Sequence, residues 1–351
     1  MRAPIVRLIR QVLCGVVYYS GLLRLWRSTA NRDRPIVVSF HDVRDEDEGP
    51  AVPSYARSLI TPLPLFRDIL AYLARRYLVV RLEEAVECAS EECVAITFDD
   101  GFRGVYEHAW PVLNEMGLPA TVFVTTDFVS SSDLPWWDTL ELRLKQFMEL
   151  SPERRFSELA TLGAKWRAVF RDEPSVGSLV EMFKESTSAE REELEGLLSS
   201  LFASPGQDNG RLFLSEQEIR EMSDAGVTFG AHTKSHPILP GLSNQELLVE
   251  LREPRAIIEG ITGSEARWLA YPDGAFGARE ERAAQEVGYD GAVQTYRRPE
   301  RTGRFAVARV GLKENRIVGA RGHMSRAMLE VELHALSRRR LQEVSRSWLA
   351  N

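Results

Sequence analysis

The sequence is poor in the residues that build thiolate sites, and it has no long apolar run. Three cysteines occur in 351 residues, and Cys14, Cys88 and Cys93 form no C-x-x-C pair. The pattern indicates neither a zinc–thiolate site nor a disulfide framework. We interpret the three as buried apolar residues, with a reactive thiol as the alternative. The longest uncharged run near the N-terminus, residues 11–23, is too short to cross a hydrocarbon core of ~30 Å as a helix.

Positive charge is concentrated at the N-terminus. Residues 1–34 contain seven Arg and one Asp, a formal charge of +6, so the remaining residues carry −13 and the whole chain −7. No Lys/Arg stripe with interleaved aromatic residues occurs in this acidic part, which argues against nucleic acid as a partner. With 44% hydrophobic residues, the chain can bury the core of one large α/β domain or of two ordinary ones.

Three interpretations of the basic N-terminal segment, residues 1–34, stand side by side. Its Arg residues lie among aliphatic residues and Tyr18, Tyr19 and Trp26, which suits a helix that contacts an anionic membrane surface through residues 1–27. The segment could instead be a helix packed on the domain, or a signal or anchor segment, although no small-x-small cleavage site precedes Arg24. We expect a location in the cytoplasm or on the periphery of the inner membrane, with export as the alternative.

From residue 35 onward, short apolar runs alternate with helical patterns. Ser215 and Glu218, for example, form a capping box at a predicted helix start. This alternation predicts a parallel sheet, closed or open, with helices outside. We predict seven strands, near residues 35–40, 93–98, 119–126, 226–231, 267–271, 290–295 and 304–310.

One segment breaks the alternation. Residues 130–211 show helical patterns with mixed charges and no convincing strand, which predicts an inserted helical subdomain. Trp136 and Trp137 near its start suit either a platform for sugar stacking or packing of the insertion on the sheet domain. The expected organisation is a basic segment at 1–34, a main α/β domain at 35–325 with the insertion at about 130–211, and a C-terminal helix at 326–351.

Polar residues follow several predicted strands, at the end where parallel-sheet enzymes keep their chemistry. Asp99 and Asp100 end the run "ITFDDG", and His232 and His236 lie four residues apart in "GAHTKSH". Adjacent carboxylates raise each other's pKa, so we expect a cation beside them. Two imidazoles at this spacing can reach one cation, although a lone His is more often a satisfied core residue.

If Asp100 is the third ligand, two nitrogens and one oxygen leave coordination positions open. That pattern is typical of a catalytic metal site rather than a structural one. Asp99 would then be free to act as a general base for water at the metal.

The motifs "TFDDG", "HTKSH" and "YPDG", in this order, resemble those of the NodB-homology polysaccharide deacetylases. The resemblance covers residues 35–130 and 212–311. It implies a distorted (β/α)7 barrel of the polysaccharide deacetylase type, here with a helical insertion. It also implies hydrolysis of N-acetyl groups at a divalent metal ion. Zn²⁺ is the expected ion, and Co²⁺ and Ni²⁺ are the alternatives.

The resemblance assigns roles to individual residues. Asp99 would be the general base, and Asp100, His232 and His236 would hold the metal. The backbone N–H of Asp273, in "YPDG", would help to stabilise the tetrahedral oxyanion. A plain Pro-Asp-Gly turn is the structural alternative for that loop.

The sequence departs from the family pattern in two places. Many members have an arginine that pairs with the catalytic aspartate, and Ala270 stands at the matching position; Arg309 could replace it or form an outward salt bridge. Many members also take the general acid from a Leu-x-His motif, which "RVGLKEN" lacks. The chain resembles the exopolysaccharide deacetylase subgroup in having a His after the first strand, so His41 is the candidate acid, with Asp42 orienting its ring. A His that only caps the strand end is the alternative.

The predicted function is metal-dependent hydrolysis of the N-acetyl group of an amino sugar in a polysaccharide, an oligosaccharide or a lipid-linked glycan. A deformylase or cyclic-amide hydrolase on the same fold is one alternative. A catalytically dead glycan-binding module is another, and the retention of both aspartates and both histidines argues against it.

Overall fold

The computed structural model describes residues 2–29, 35–45, 59–88, 90, 92–203, 211–295 and 303–336. Its strands in chain order are β1 (Ile36–Phe40), β2 (Asp42–Arg44), β3 (Ile60–Pro62), β4 (Leu78–Val79), β5 (Cys93–Phe98), β6 (Thr121–Val124), β7 (Thr228–Ala231), β8 (Trp268–Ala270), β9 (Gly291–Gln294), β10 (Val307–Ala308) and β11 (Val310–Gly311).

Nine of these strands form one parallel sheet that curls into a nearly closed barrel. The order is β10-β9-β8-β7-β6-β5-β1-β11, with β4 added to β5. Its two end strands, β10 and β11, are separated in the sequence by Arg309 alone. The gap between the two edges of the sheet is therefore crossed by a single residue of the chain. The strands β1, β5, β6, β8 and β9 are buried at every residue, as expected of a parallel sheet covered by helices. The barrel predicted from the sequence is therefore confirmed.

Each predicted strand has a counterpart, but the last one is interrupted. The run 304–310 becomes β10 and β11, because Arg309 between them turns its side chain into the barrel. Neither β4 nor the two-stranded parallel sheet of β2 and β3 was predicted from the sequence. These strands are two or three residues long, too short for a period-two pattern to be recognised.

Gly230 in β7 is required by close packing. A Cβ atom there would lie 2.7 Å from the Phe123 ring and 2.7 Å from the carbonyl oxygen of Trp268. Neighbouring strands on both sides thus approach the backbone of β7 directly, two residues before the first His of "HTKSH".

Helices surround the barrel and form most of the remaining structure. Regular helices span Arg2–Tyr19, Leu22–Thr29, Leu63–Arg76, Leu82–Cys88, Trp110–Met116, Trp136–Glu149, Pro152–Leu159, Ala164–Arg171, Val176–Lys184, Ser188–Leu201, Glu216–Asp224, Asn244–Thr262, Ala278–Val287, Glu314–Ile317 and Arg326–Val331. Ser215 and Glu218 form the predicted capping box at the start of Glu216–Asp224.

Five consecutive helices between β6 and β7, from Trp136 to Leu201, form the helical insertion. They enclose a hydrophobic cluster that is separate from the barrel core and includes Leu144, Phe147, Trp166, Leu179 and Leu198. Thr187 and Glu190 cap the fifth helix with a second capping box. The insertion therefore has its own core and packs against the barrel as a unit.

The N-terminal helix Arg2–Tyr19 packs on the helix Arg326–Val331. Cys14 and Leu23 are buried there against Met328 and Val331. Among the described residues, no helix combines the length and apolarity needed to cross a membrane.

The prediction for two of the cysteines is wrong. Cys88 and Cys93 form a disulfide, while Cys14 is free and buried. The helix Leu82–Cys88 ends beside the start of β5, so a short connection returns one cysteine to the other. Spacing alone did not indicate this pairing.

Parts of several predictions lie outside the described residues. These are the end of the basic segment (30–34), most of the loop after the insertion (204–210) and residues 337–351 of the expected C-terminal helix. Within the described part, that helix ends in a π-helical turn, Glu332–Leu336.

Candidate active site

Three predicted metal ligands meet at the carboxyl ends of β5 and β7. Ligand atoms of Asp100, His232 and His236 all lie within 4.8 Å of one another. Oδ1 of Asp100 is 3.4 Å from Nε2 of His232 and 3.6 Å from Nε2 of His236. All three side chains are buried.

The unsatisfied atoms of this cluster fit a divalent cation. Oδ1 of Asp100 is buried without a hydrogen-bond partner, which is costly for a carboxylate unless a cation neutralises it. Nδ1 of His232 donates to the carbonyl oxygen of Ala270, 2.8 Å away, so Nε2 keeps its lone pair for a metal. Two imidazoles and one carboxylate are a donor set that zinc and similar ions accept. The three residues could therefore hold a metal.

Burial and mutual charge shift the pKa values of this cluster. Burial raises the pKa of Asp100, but its electrostatic interactions with His232 and His236 outweigh that effect, so the net shift is downward. Burial, reinforced by the charge of His232, lowers the pKa of His236 to about 4. An ionised carboxylate and a neutral imidazole are the forms that bind a metal.

Asp99 is held by a buried arginine. Nη1 and Nη2 of Arg309 donate to the two carboxylate oxygens of Asp99, each at 2.6 Å, and Nη1 also donates to Oγ1 of Thr97 at 3.1 Å. Burial raises the pKa of Asp99, but the Arg309 charge outweighs it and holds the net pKa below its usual range. Of the two alternatives for Arg309, the structure therefore has the pairing with Asp99, and the guanidinium lies over the Phe123 ring.

His41 lies after β1 and lines the same cleft as Asp99, His232 and His236. It is half-buried, and burial lowers its pKa, although the charges of Asp100 and Asp99 act in the opposite direction. The expected partner Asp42 faces elsewhere, since its carboxylate accepts from Nε of Arg44 at 2.6 Å and lies against Gly104. The expectation that Asp42 orients the His41 ring is wrong, because β2 turns this carboxylate away from the cleft.

Asp273 is the central residue of a strained turn, Pro272–Gly274, on the same cleft. Its φ of 51° lies in the left-handed region, and its side chain forms an ion pair with Lys184 of the insertion, at 3.0 Å. Asp100, Thr233 and His236 also have positive φ, so four of the six such non-glycine residues in the described structure belong to the site. Backbone strain of this kind persists where surrounding contacts enforce it.

Two further groups hold the loop that contains both histidines. Glu250, on the helix Asn244–Thr262, accepts from the backbone N–H of Lys234 and of Ser235, each at 2.9 Å, and from Oγ of Ser235 at 2.7 Å. From the insertion, Nε1 of Trp136 donates to the carbonyl oxygen of His236 at 3.0 Å.

The tryptophan pair of the insertion packs rather than faces solvent. Trp137 is buried, and its ring centroid lies 4.6 Å from that of His236. Trp136 lies against Trp137 and Phe183. Of the two interpretations given for this pair, the contacts match packing of the insertion on the barrel.

The sequence model of the polysaccharide deacetylase family matches residues 87–292, more than half of the chain. This chain belongs to the polysaccharide deacetylase family. The match includes Asp99, Asp100 and both histidines of the cluster, and it leaves out His41 and Arg309, which carry the two departures from the family pattern.

Known proteins resemble this chain at low identity, in sequence or in fold. YxkH of Bacillus subtilis (strain 168) is 21% identical over 206 residues, which is 59% of this chain and 46% of YxkH, so the match spans about half of that relative. The Streptococcus pyogenes deacetylase PplD, solved with acetate, is 16% identical with a TM-score of 0.53, over 83% of this chain and 96% of PplD. IcaB from Ammonifex degensii is 17% identical with a TM-score of 0.53, over 86% of this chain and 98% of IcaB.

Two of the supporting residues, Lys184 and Glu250, were not expected from the sequence, because no local motif marks the helices that carry them. Trp136 was expected to stack on a sugar or to pack, but its hydrogen bond to His236 was not foreseen. Ser235 in "HTKSH" was the one sequence feature that could have indicated Glu250. Its hydroxyl needs a hydrogen-bond acceptor, and Glu250 is that acceptor.

Proposed function

We propose that this protein hydrolyses the N-acetyl group of an amino sugar in a glycan, with a divalent metal. The observation that carries the proposal is the separation of the two adjacent aspartates. Asp100 joins two histidines in a cluster suited to a metal, whereas Asp99 is held apart by Arg309 and lines one cleft together with both histidines. One carboxylate is thus available as a ligand and the other as a base.

The proposed ligands are Asp100, His232 and His236. A divalent cation bound there would supply a Lewis acid that polarises the amide carbonyl and makes water easier to deprotonate. Zn²⁺ suits the two-nitrogen, one-oxygen set best, and Co²⁺ or Ni²⁺ would also be accepted.

The other residues of the site have separate roles in the proposed reaction. Asp99 accepts the proton of the attacking water on a carboxylate oxygen, and Arg309 keeps that carboxylate ionised and fixed in orientation. The backbone N–H of Asp273 donates to the developing oxyanion. His41, on the same cleft, donates a proton to the leaving nitrogen, which requires its imidazole to be protonated at that step.

The glycan substrate is supported by the family. A polymer, a free oligosaccharide and a lipid-linked glycan all present the same N-acetyl group. A deformylase or cyclic-amide hydrolase would use the same ligands and base, and it would release formate or an opened ring instead of acetate.

The test is acetate release from N-acetylglucosamine oligosaccharides by the metal-loaded protein, with Asp99→Asn as the inactive reference. We expect acetate from the wild type and a loss of activity in the variant. Formate release or ring opening with no acetate would support the alternative enzyme, and tight glycan binding without turnover would support a binding module.

A companion experiment addresses His41. His41→Ala should retain the metal and lose roughly 10²–10⁴ in kcat for the amide, the range expected for a proton donor. Hydrolysis of an aryl acetate should fall much less, because its leaving oxygen needs no proton. Equal losses on ester and amide would show that His41 only supports the end of β1.

A further inference from the structure

The N-terminal helix Arg2–Tyr19 docks on the protein with its polar side. Nη2 of Arg10 donates to Glu332 at 3.0 Å, and Oε1 of Gln11 accepts from the backbone N–H of Ala320 at 2.9 Å. Arg7 lies 3.8 Å from Glu314. Cys14, on the same side, is buried against Met328. This helix is therefore oriented opposite to an ordinary surface helix, whose apolar side faces the core.

Its other side is apolar and exposed. Large hydrophobic residues recur there at helical spacing and continue into the next helix, and each residue is 43–80% exposed: Ile5, Val6, Leu8, Ile9, Val12, Leu13, Val16, Tyr19, Leu22 and Leu25. We call these ten residues the apolar face. In the described structure, the other exposed large hydrophobic residues are Leu78, Phe156, Val249 and Ile257; they lie on three different elements, and the last two are eight positions apart on the helix Asn244–Thr262. Single residues of that kind are normal, whereas a contiguous patch marks a binding surface.

We infer that the apolar face binds the surface of an anionic lipid bilayer. Charge favours this partner, because residues 1–34 carry +6 on a chain that is otherwise −13. The sequence after Leu336, which continues from the element that the helix packs on, adds four Arg and one Glu. A helix of 18 residues is ~27 Å long, and lying flat it would bury its apolar side at the level of the headgroups. Tyr19, at its end, is a residue type common at that level.

A second copy of this chain fits the same face less well. A two-fold contact through the apolar face would bring two basic segments together. A head-to-tail contact would need a second apolar patch, and the described surface offers only the four scattered residues. A bilayer satisfies both the apolar side and the charge.

The docking site of the helix adjoins the catalytic cleft. Glu332 accepts from Arg10 through Oε2 and from Arg316 through Oε1, at 3.0 and 2.8 Å. Both Glu332 and Arg316 line the cleft together with His41 and Asp99. A bilayer bound at the apolar face would therefore lie next to the cleft, where a membrane-borne substrate would be presented.

The test is vesicle flotation of the full chain, without substrate, so its outcome is independent of the proposed activity. The face variant is Ile9→Gln, Val12→Gln, Leu13→Gln and Val16→Gln, since Gln keeps helix propensity and removes apolar area. The matched control carries four Gln substitutions at Leu78, Phe156, Val249 and Ile257. Vesicles contain phosphatidylcholine and phosphatidylglycerol in a 7:3 ratio.

We expect wild type and control to float with these vesicles and the face variant to lose about tenfold or more in partition, because lipid binding scales with buried apolar area. Binding should weaken with added salt and on pure phosphatidylcholine. Circular dichroism should show all three proteins folded.

Two outcomes would overturn the inference. One is a wild type that stays in solution, or a control that loses binding as strongly as the face variant. The other is a concentration-dependent dimer in light scattering that the face variant abolishes without lipid, which would assign the face to a second copy.

Discussion

The barrel and the helical insertion contribute to the site in different ways. The barrel strands end in the candidate ligands and the base, Asp99, Asp100 and His232. The insertion supplies neither, yet Trp136 bonds to the backbone of His236 and Lys184 pairs with Asp273. The barrel thus holds the proposed ligands and base, and the insertion, with a core of its own, contacts two of the loops beside them. The difference suggests that changes in the barrel abolish chemistry, whereas changes in the insertion weaken it.

The largest effect is expected from the barrel ligands. Asp100→Ala removes the carboxylate of the cluster and should lower kcat/KM by about 10³-fold or more, since a catalytic metal contributes several kcal/mol to the transition state. Metal content by elemental analysis should fall with it, while circular dichroism shows an intact fold. A variant with full metal occupancy would exclude Asp100 as a ligand. Asp127→Ala, on an acidic residue after β6 outside the cluster, is the matched control.

The second largest effect is expected from Arg309, the residue between β10 and β11. Arg309→Met leaves the buried Asp99 carboxylate unpaired, which should cost about 3–5 kcal/mol of stability and lower activity by about 10²-fold. Because Arg309 lowers the pKa of Asp99, its loss should raise that pKa, and the acidic limb of the pH–activity profile should move to higher pH. The metal content should remain. An unchanged acidic limb would mean that Asp99 is not the base that this limb reports.

The insertion should have a smaller effect. Trp136→Phe removes the indole N–H that bonds to His236 and should lower metal affinity by about 10-fold, the lower end of the range for outer partners of metal ligands. Trp166→Phe is a matched control, because its indole donates to Glu190 inside the insertion core at 2.8 Å. The control should lose stability and keep its metal affinity. Equal metal affinity in both variants would contradict the proposed role of the insertion.

The smallest effect concerns the contact zone between the two regions. Both carboxylate oxygens of Asp138 are buried without a hydrogen-bond partner, and burial, with the charges of Glu141 and Asp100, raises its pKa to about 7. The folded state therefore binds a proton that the unfolded state releases near pH 4, so stability falls as pH rises from about 4 to 7. In chelator-treated protein, Asp138→Asn should raise the melting temperature at pH 8 by several degrees and change it little at pH 5. An equal change at both pH values would mean that Asp138 does not titrate in this range.

Local patterns decided the chemistry of the strand ends. "TFDDG" and "HTKSH" identified Asp99, Asp100, His232 and His236 as a group, because parallel strands bring their carboxyl ends to one edge of the sheet. The alternation of strands and helices predicted the barrel, which the structure confirms. These features depend on short stretches of sequence, and the periodicity of apolar residues is enough to place them.

The remaining features depended on the tertiary structure, because they join residues far apart in the sequence. Arg309 could pair with Asp99 or point outward, and the choice follows from the closing of the barrel at β10 and β11. The N-terminal helix could be packed or exposed, and its polar side is packed while its apolar side is exposed. Local sequence patterns specify which side chains lie at the strand ends and where helices begin. A buried carboxylate or carbonyl group needs a hydrogen-bond or charge partner. The fold decides which residue, distant in the sequence, packs close enough to be that partner.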